Sequence, residues 1–232
     1  MMTANDDRIL FFDIDGTLIH SGAAGSAALD DTLSAVLKIE NPDTDIDYGG
    51  RTDLGIMREL MELNKIKYSS SLEKKLLEHY VDELKKWLPQ KDGKVLPGVV
   101  ALLDHLRDLP GFQSGLITGN IRPGAFAKLA HFNLDHYFAF GGFGDREIKR
   151  EDIVAEGLRD ATSSLGRYVD KDKCLIIGDT PRDVECARAH GIKVLIVTTG
   201  FASQKSLLAA DPDYLVDDLS DREQIMQILS SF

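Results

Sequence analysis

Residues 9–20 read ILFFDIDGTLIH. Ile9–Phe12 is a short, wholly apolar run, the character of a strand buried on both faces. It ends in Asp13, with Asp15 two positions later and Gly16–Thr17 directly after. Side chains two apart on an extended chain project to the same side. A buried strand therefore delivers two carboxylates to one place at its carboxyl end. Such a pair is costly unless a cation joins it, so the stretch marks both a fold element and a place to look for chemistry.

Further runs share the character of that strand: Gln113–Ile117, Tyr137–Phe140, Cys174–Ile177, Val194–Val197 and the short Tyr214–Val216. Amphipathic segments alternate with them. Val99–Leu109 carries Leu102, Leu103 and Leu106 at helical spacing, and Arg150–Leu165, Pro181–His190 and Asp221–Leu229 are similar. Thr180–Pro181 suits a helix start and Gly191 its end. This rhythm predicts an α/β fold, a Rossmann-like doubly wound parallel sheet with helices on both faces. One region breaks it. Between about Ala23 and Lys94 there is no convincing strand, and Ala24–Ile39, Asp53–Asn64 and Ser71–Trp87 read as helices. The expected organisation is a core from residues 1–20 and 95–232 with a helical cap inserted over 21–94. ENPDTDIDYGGR is the insert's loop and QKDGK its exit hinge.

Composition narrows the partners. The chain has 232 residues, 43% of them hydrophobic, and a formal net charge of −11. Phosphate backbones and anionic membranes select basic stripes, so nucleic acid and membrane surfaces are not expected as partners. The polar start MMTANDDR is not expected to be a signal peptide, and nothing approaches the length of a membrane span. Cys174 and Cys186 have neither a disulfide framework nor metal-site spacing, which suits a reducing cytoplasm.

In open α/β sheets, ligands bind beyond the carboxyl ends of the strands. Four polar clusters fall there: Asp13, Asp15, Gly16 and Thr17; Thr118, Gly119 and Asn120; a glycine-rich turn followed by Lys149 and Arg150; and Gly178, Asp179, Thr180 and Asp183. Each alone has a bland explanation. Thr118 can cap a strand end, Arg150 can be a solvated residue at a helix start, and Asp183 can stabilise the first turn of its helix. All four at strand ends, in this order, are harder to obtain by accident.

The order resembles the haloacid dehalogenase-like hydrolase superfamily, in particular its phosphoglycolate phosphatase-like branch. DIDGT matches the first motif, LITGN the second and GDTPRD the fourth, and LPGVVALLDHL is the typical re-entry into the core. The third motif departs from the usual Lys-Pro. DREIKREDIV leaves Arg150 or Lys149 as its cation. The resemblance implies a small helical cap and a Mg²⁺-dependent phosphatase that acts on a small phosphorylated metabolite; a monomer or a homodimer is expected, and the sequence does not choose between them. Asp13 would be the nucleophile, giving an aspartyl-phosphate, and Asp15 the general acid and base. Asp13 and Asp179 would bind the metal, Asp15 through its backbone carbonyl, and Asp183 through water or by holding a ligand. Thr118, with the backbone of Gly119 and Asn120, would meet phosphate oxygens, and Gly16 would let the chain and Thr17 come close. Arg150 or Lys149 would offset charge developing in transfer.

YGGRTDLGIM is the insert's most informative stretch. Arg51 there is a candidate for a substrate carboxylate or second phosphate, or an exposed arginine on an acidic protein. The histidines are scattered without metal spacing, and only His20 follows the acidic loop. Competing activities are a dehalogenase, a sugar-phosphate mutase, and pyrophosphatase or phosphonate chemistry. Asp15 argues against the first, and Thr17 leans towards hydrolysis over mutase. A non-catalytic binding protein on the same fold would be expected to have lost a carboxylate.

Overall fold

The computed structural model describes residues 7–146 and 149–232. The first six residues of the polar N-terminal stretch, and positions 147–148 of the third cluster, lie outside them. The strands are β1 (Arg8–Phe12), β2 (Ile19–His20), β3 (Lys94–Val95), β4 (Phe112–Ile117), β5 (Gly141–Gly142), β6 (Cys174–Gly178), β7 (Lys193–Val197) and β8 (Tyr214–Val216). The helices are α1 (Ala24–Leu37), α2 (Asp53–Leu63), α3 (Ser70–Trp87), α4 (Val99–Asp108), α5 (Arg122–His131), α6 (Arg150–Leu165), α7 (Pro181–His190), α8 (Gln204–Ala210) and α9 (Arg222–Ser230).

Six strands form a parallel sheet in the order β5-β4-β1-β6-β7-β8. Alternation along β1 explains the layering. Leu10 and Phe12 face a core shared with α4, α5 and α9, whereas Ile9 and Phe11 face one shared with α6, α7 and α8. Both faces are thus covered by helices, as the unbroken apolar runs require. β1 is central, flanked by β4 and β6. The chain ends emerging from β1, β4 and β6 are therefore neighbours, although more than a hundred residues separate the first from the second.

Two local expectations need correction. Tyr137–Phe140 is not a strand: Asp135–Tyr137 is a short 3₁₀ turn, and the sheet's edge pairing begins at Gly141. The apolar side chains of this run, Phe138 and Phe140, are buried, so hydrophobicity marked burial there and not extended pairing. Helix α5, for which the sequence reading assigns no element, starts with Pro123 in its first turn, where a missing N–H costs nothing.

The helical segment leaves the core through β2 and returns through β3, which pair antiparallel with Ile19 opposite Val95 and His20 opposite Lys94. It has its own apolar cluster: Leu29 and Leu33 of α1, Met57 and Leu60 of α2, and Leu76, Tyr80 and Leu84 of α3, joined by Ile121 from the core. Thr52 caps α2 by accepting from the Gly55 N–H, and Ser69 caps α3 by accepting from that of Leu72. Trp87 packs partly against this cluster and donates Nε1–H to Asp31 at 2.8 Å.

Asp53, the first residue of α2, ties this segment to the core. Its N–H donates to the Gly119 carbonyl at 2.8 Å, and its carboxylate accepts the Ile121 N–H at 2.8 Å. Burial lifts the Asp53 carboxyl to about 6, against the lowering effects of Lys128 and the Ile121 N–H. A folded-state pKa above the unfolded value of about 3.9 means that the native state binds this proton more tightly. Stability from this group is full below pH 4 and is lost as pH rises through 6. Asp53→Asn keeps an acceptor without the charge. It should raise the melting temperature relative to the parent at pH 8, with the advantage gone by pH 4. In the same unfolding assay, Leu60→Ala should cost about 2–5 kcal/mol, as for other large-to-small changes at fully buried sites.

Candidate active site

The loop after β1 turns sharply. Gly16 adopts φ +85°, and a side chain there would collide with the Asp179 carboxylate. Gly200, in the loop after β7, is under the same constraint from its own side of Asp179. Glycine at both positions lets backbone approach a carboxylate that any larger residue would displace. Asp13 is held by the Ile14 N–H at 2.8 Å on one oxygen and by the Arg150 guanidinium at 2.6 Å on the other.

Asp179 lies at the carboxyl end of β6, and Asp183 in the first turn of α7. Asp183 and Thr180 form a capping box: the carboxylate accepts the Thr180 N–H at 3.0 Å and its hydroxyl at 2.6 Å. The other Asp183 oxygen accepts from Arg150 at 2.5 Å. The Thr17 hydroxyl donates to Asp179 at 3.1 Å, so Thr17 reaches the site by orienting a carboxylate.

Asp13, Asp179 and Asp183 are all buried, and one oxygen of each lies within 4.8 Å of the others. Burial raises the Asp13 carboxyl, opposed by Arg150 and reinforced by Asp183. Burial, followed by Asp183 and Asp13, pushes Asp179 well above the usual carboxylate range. The same neighbours hold Arg150 firmly protonated despite its burial. Arg150 pairs with Asp13 and Asp183, leaving Asp179 with a neutral hydroxyl donor. Three buried carboxylates with one guanidinium leave negative charge uncompensated, and an all-oxygen cluster of this kind suits a hard divalent cation.

The structure places the two candidate cations of the third cluster differently. Arg150 is buried and inside the site, whereas Lys149 is exposed as the residue before α6. Arg150 also donates to the Gly50 carbonyl at 3.0 Å, and its Nε is buried without a partner among the described residues.

On the other side of β1, Thr118 is fully buried beyond β4. Its Oγ1 accepts from the Asn120 side-chain amide at 2.9 Å and the Asn120 N–H at 3.3 Å. The Asn120 amide also donates to Asp15 at 2.8 Å. Lys128 of α5, absent from the sequence reading, joins this group: its Nζ lies 2.6 Å from Asp15 and 2.7 Å from the Asn120 oxygen. Partial desolvation raises the Asp15 carboxyl, but Lys128 and the Asn120 amide outweigh it and the net shift is downward. A signal for Lys128 exists in the sequence. It stands with Ala125 and Leu129 at helical spacing, a lysine on an apolar stripe.

The helical segment closes over these groups. Gly119 packs so tightly under the 51–52 backbone that a Cβ would strike the Arg51 carbonyl. Gly50, at φ +63°, lies beside Thr180. The Arg51 side chain itself pairs with Glu59 and donates to the Asp47 carbonyl at 3.1 Å. Arg182 of α7 donates to the Gly49 carbonyl. Between core and helices lies a cavity of about 1120 Å³ whose lining includes Asp13, Asp15, Arg51, Thr118, Lys128 and Arg150. His20 lies at its edge, 2.8 Å from the Thr199 carbonyl, with its ring 5.1 Å from that of the exposed Phe201.

Comparison with known proteins places this arrangement. Residues 10–197 match the family model described as haloacid dehalogenase-like hydrolase. The chain is 28% identical over 223 residues to a phosphoglycolate phosphatase of Aquifex aeolicus, covering 94% of this chain and 96% of that protein. A phosphoglycolate phosphatase of Synechococcus elongatus is 28% identical over 222 residues, covering 92% and 94%. The crystal structure of a predicted phosphatase from Clostridium acetobutylicum superposes with a TM-score of 0.70 at 26% identity, covering 97% of this chain and 99% of that one. With the strand-end motifs brought together around one buried acidic cluster, the chain belongs to the haloacid dehalogenase-like hydrolase family, in its phosphoglycolate phosphatase-like branch, and is an enzyme.

Proposed function

We propose that the chain hydrolyses a small phosphomonoester in a Mg²⁺-dependent reaction through an aspartyl-phosphate on Asp13. The observation that carries this reading is the meeting of Asp13 with a buried Arg150 whose Nε has no partner among the described residues, beside Asp179 and Asp183. A buried guanidinium nitrogen without an acceptor fits a phosphoryl oxygen, and Arg recognises phosphate through its fork of N–H groups. Asp13, Asp179 and Asp183, with the Asp15 backbone carbonyl, would hold Mg²⁺, which supplies charge neutralisation to an anion attacking an anion.

Asp13 attacks phosphorus as the bond to the leaving oxygen breaks. Asp15, on the loop beyond Asp13, gives that oxygen its proton. Water then attacks the aspartyl-phosphate, its proton passes to Asp15, and inorganic phosphate leaves with Asp13 restored. Arg150 stabilises charge on the transferring group. Thr118 and Asn120 frame the phosphoryl site from β4. Residues 21–94 act as a cap that excludes water and selects the leaving group. The similarity to phosphoglycolate phosphatases makes phosphoglycolate the first ester to test. A cytoplasmic setting is part of this proposal; among the described residues no helix is long and apolar enough to cross a membrane.

Phosphate release should be measured on a panel of phosphomonoesters and pyrophosphate, with Mg²⁺ and with chelator. Wild-type enzyme should release phosphate only with metal, and Asp13→Asn should release none. Absence of release by well-folded wild-type enzyme would sink the hydrolase reading and turn attention to phosphosugar isomerisation. Arg150→Ala should lower kcat by about 100- to 1000-fold, the scale of losing one transition-state donor. Lys149→Ala, at an exposed site, should leave kcat within about twofold.

A further inference from the structure

Lys128 has no part in the chemistry described so far, yet it is among the most buried charged groups in the molecule. Its side chain is 6% exposed, and that of its partner Asp15 is 40% exposed. The ammonium does not merely neutralise a nearby acid. It closes a triangle: Nζ donates to Asp15 Oδ2 at 2.6 Å and to Asn120 Oδ1 at 2.7 Å, and the Asn120 Nδ2 donates to the same Asp15 oxygen at 2.8 Å. The second donor on that Asn120 amide, to Thr118 Oγ1 at 2.9 Å, ties the triangle to the end of β4. The Lys128 backbone is fixed in turn, because Ala125 and Leu129 on the same helical face are fully buried in the core.

Burying a lysine gains little stability. Its desolvation costs several kcal/mol, and an apolar residue of similar volume at such a site is often no worse. The position is one where Leu or Met would satisfy the apolar face of α5. A charge maintained there against that cost points to function.

We propose that Lys128 is a positioning residue for the reaction, holding the Asp15 carboxyl group at the leaving-group oxygen. The inference rests on the phosphatase reading above and concerns where that carboxyl sits. Without Lys128, Asp15 keeps a single side-chain donor, the Asn120 amide, and this amide loses the cation that orients its oxygen. The half-exposed carboxyl is then free to turn to solvent. Lys128 also lies near Asp53, whose carboxyl it lowers, so one cation faces both the general acid and the residue that docks α2 onto the core.

A structural lysine and a positioning lysine differ in one measurable way, the dependence on the leaving group. Departure of an alkoxide needs a proton in the transition state, whereas p-nitrophenolate leaves without one. kcat/KM reports the steps through transfer to Asp13, before Asp15 acts on water. The test is Lys128→Met, assayed with p-nitrophenyl phosphate and with the alkyl phosphate from the panel that wild type hydrolyses fastest. The expected result is a loss of about 100-fold in kcat/KM for the alkyl ester, the scale of a general acid's contribution, with p-nitrophenyl phosphate close to wild type. The second substrate doubles as a check that the variant is folded. Asp15→Asn should lose at least as much on the alkyl ester, and adding Lys128→Met to it should cause no further loss there, since the two act as one unit. Lys128→Arg, which keeps the cation, should recover part of the alkyl activity. If Lys128→Met does not fold, the same comparison is made with Lys128→Gln.

Equal losses on both esters, or no loss on either, would overturn the assignment while leaving the phosphatase reading intact. Failure of wild type to hydrolyse either ester would overturn the phosphatase reading, and the role of Lys128 with it.

Discussion

Mutual repulsion among buried carboxylates is the constraint around which this molecule is arranged. Asp13, Asp179 and Asp183 bring oxygens within 4.8 Å of one another away from solvent, where unscreened like charges are expensive. Each acid is held by an independent device. The Ile14 N–H fixes Asp13, the Thr17 hydroxyl fixes Asp179, and the Thr180 capping box fixes Asp183. Arg150 spans the first and the third. Glycines at 16 and 200 leave room for Asp179 that a Cβ would take. A cluster so firmly held and so incompletely neutralised stores an affinity for positive charge. That is the state from which a divalent cation, and a phosphate carried with it, would gain most.

The sheet is what makes the cluster possible. β1 lies between β4 and β6, so the two strands that contribute Thr118 and Asp179 flank the one that contributes Asp13. A different strand order would leave the same motifs intact in sequence and scattered in space. Arg150, the first residue of α6, reaches the same cluster by pairing with Asp13 and Asp183.

The helical segment meets this frame through backbone as much as through side chains. The Gly50 carbonyl takes a hydrogen bond from Arg150, the Gly119 carbonyl takes one from the Asp53 N–H, and the Gly49 carbonyl takes one from Arg182. Close backbone approach of this kind demands small residues, which explains the glycines on both sides of the contact. Arg150 therefore touches Asp13, Asp183 of the fourth motif and the overlying loop at once, so one guanidinium ties all three together.

Local patterns in the sequence carry much of this. The apolar run before Asp13 determined the central strand, the Thr180–Pro181 pair determined the start of α7 to the residue, and the lack of strand signal after Ala23 determined an all-helical segment between β2 and β3. These depend on neighbours within a few positions, where periodicity, caps and turn chemistry operate. The Tyr137–Phe140 run misled because apolar side chains can be buried from a loop as well as from a strand: Phe138 and Phe140 are buried beyond the 3₁₀ turn that ends at Tyr137. Only the tertiary structure decided which of two adjacent cations faces Asp13, since Lys149 and Arg150 differ by one step at a helix start and helix α6 alone sets which points inward. Only the tertiary structure revealed Lys128 against Asp15, a contact between residues 113 positions apart. Contacts of that kind are set by strand order and helix docking, which no local window contains.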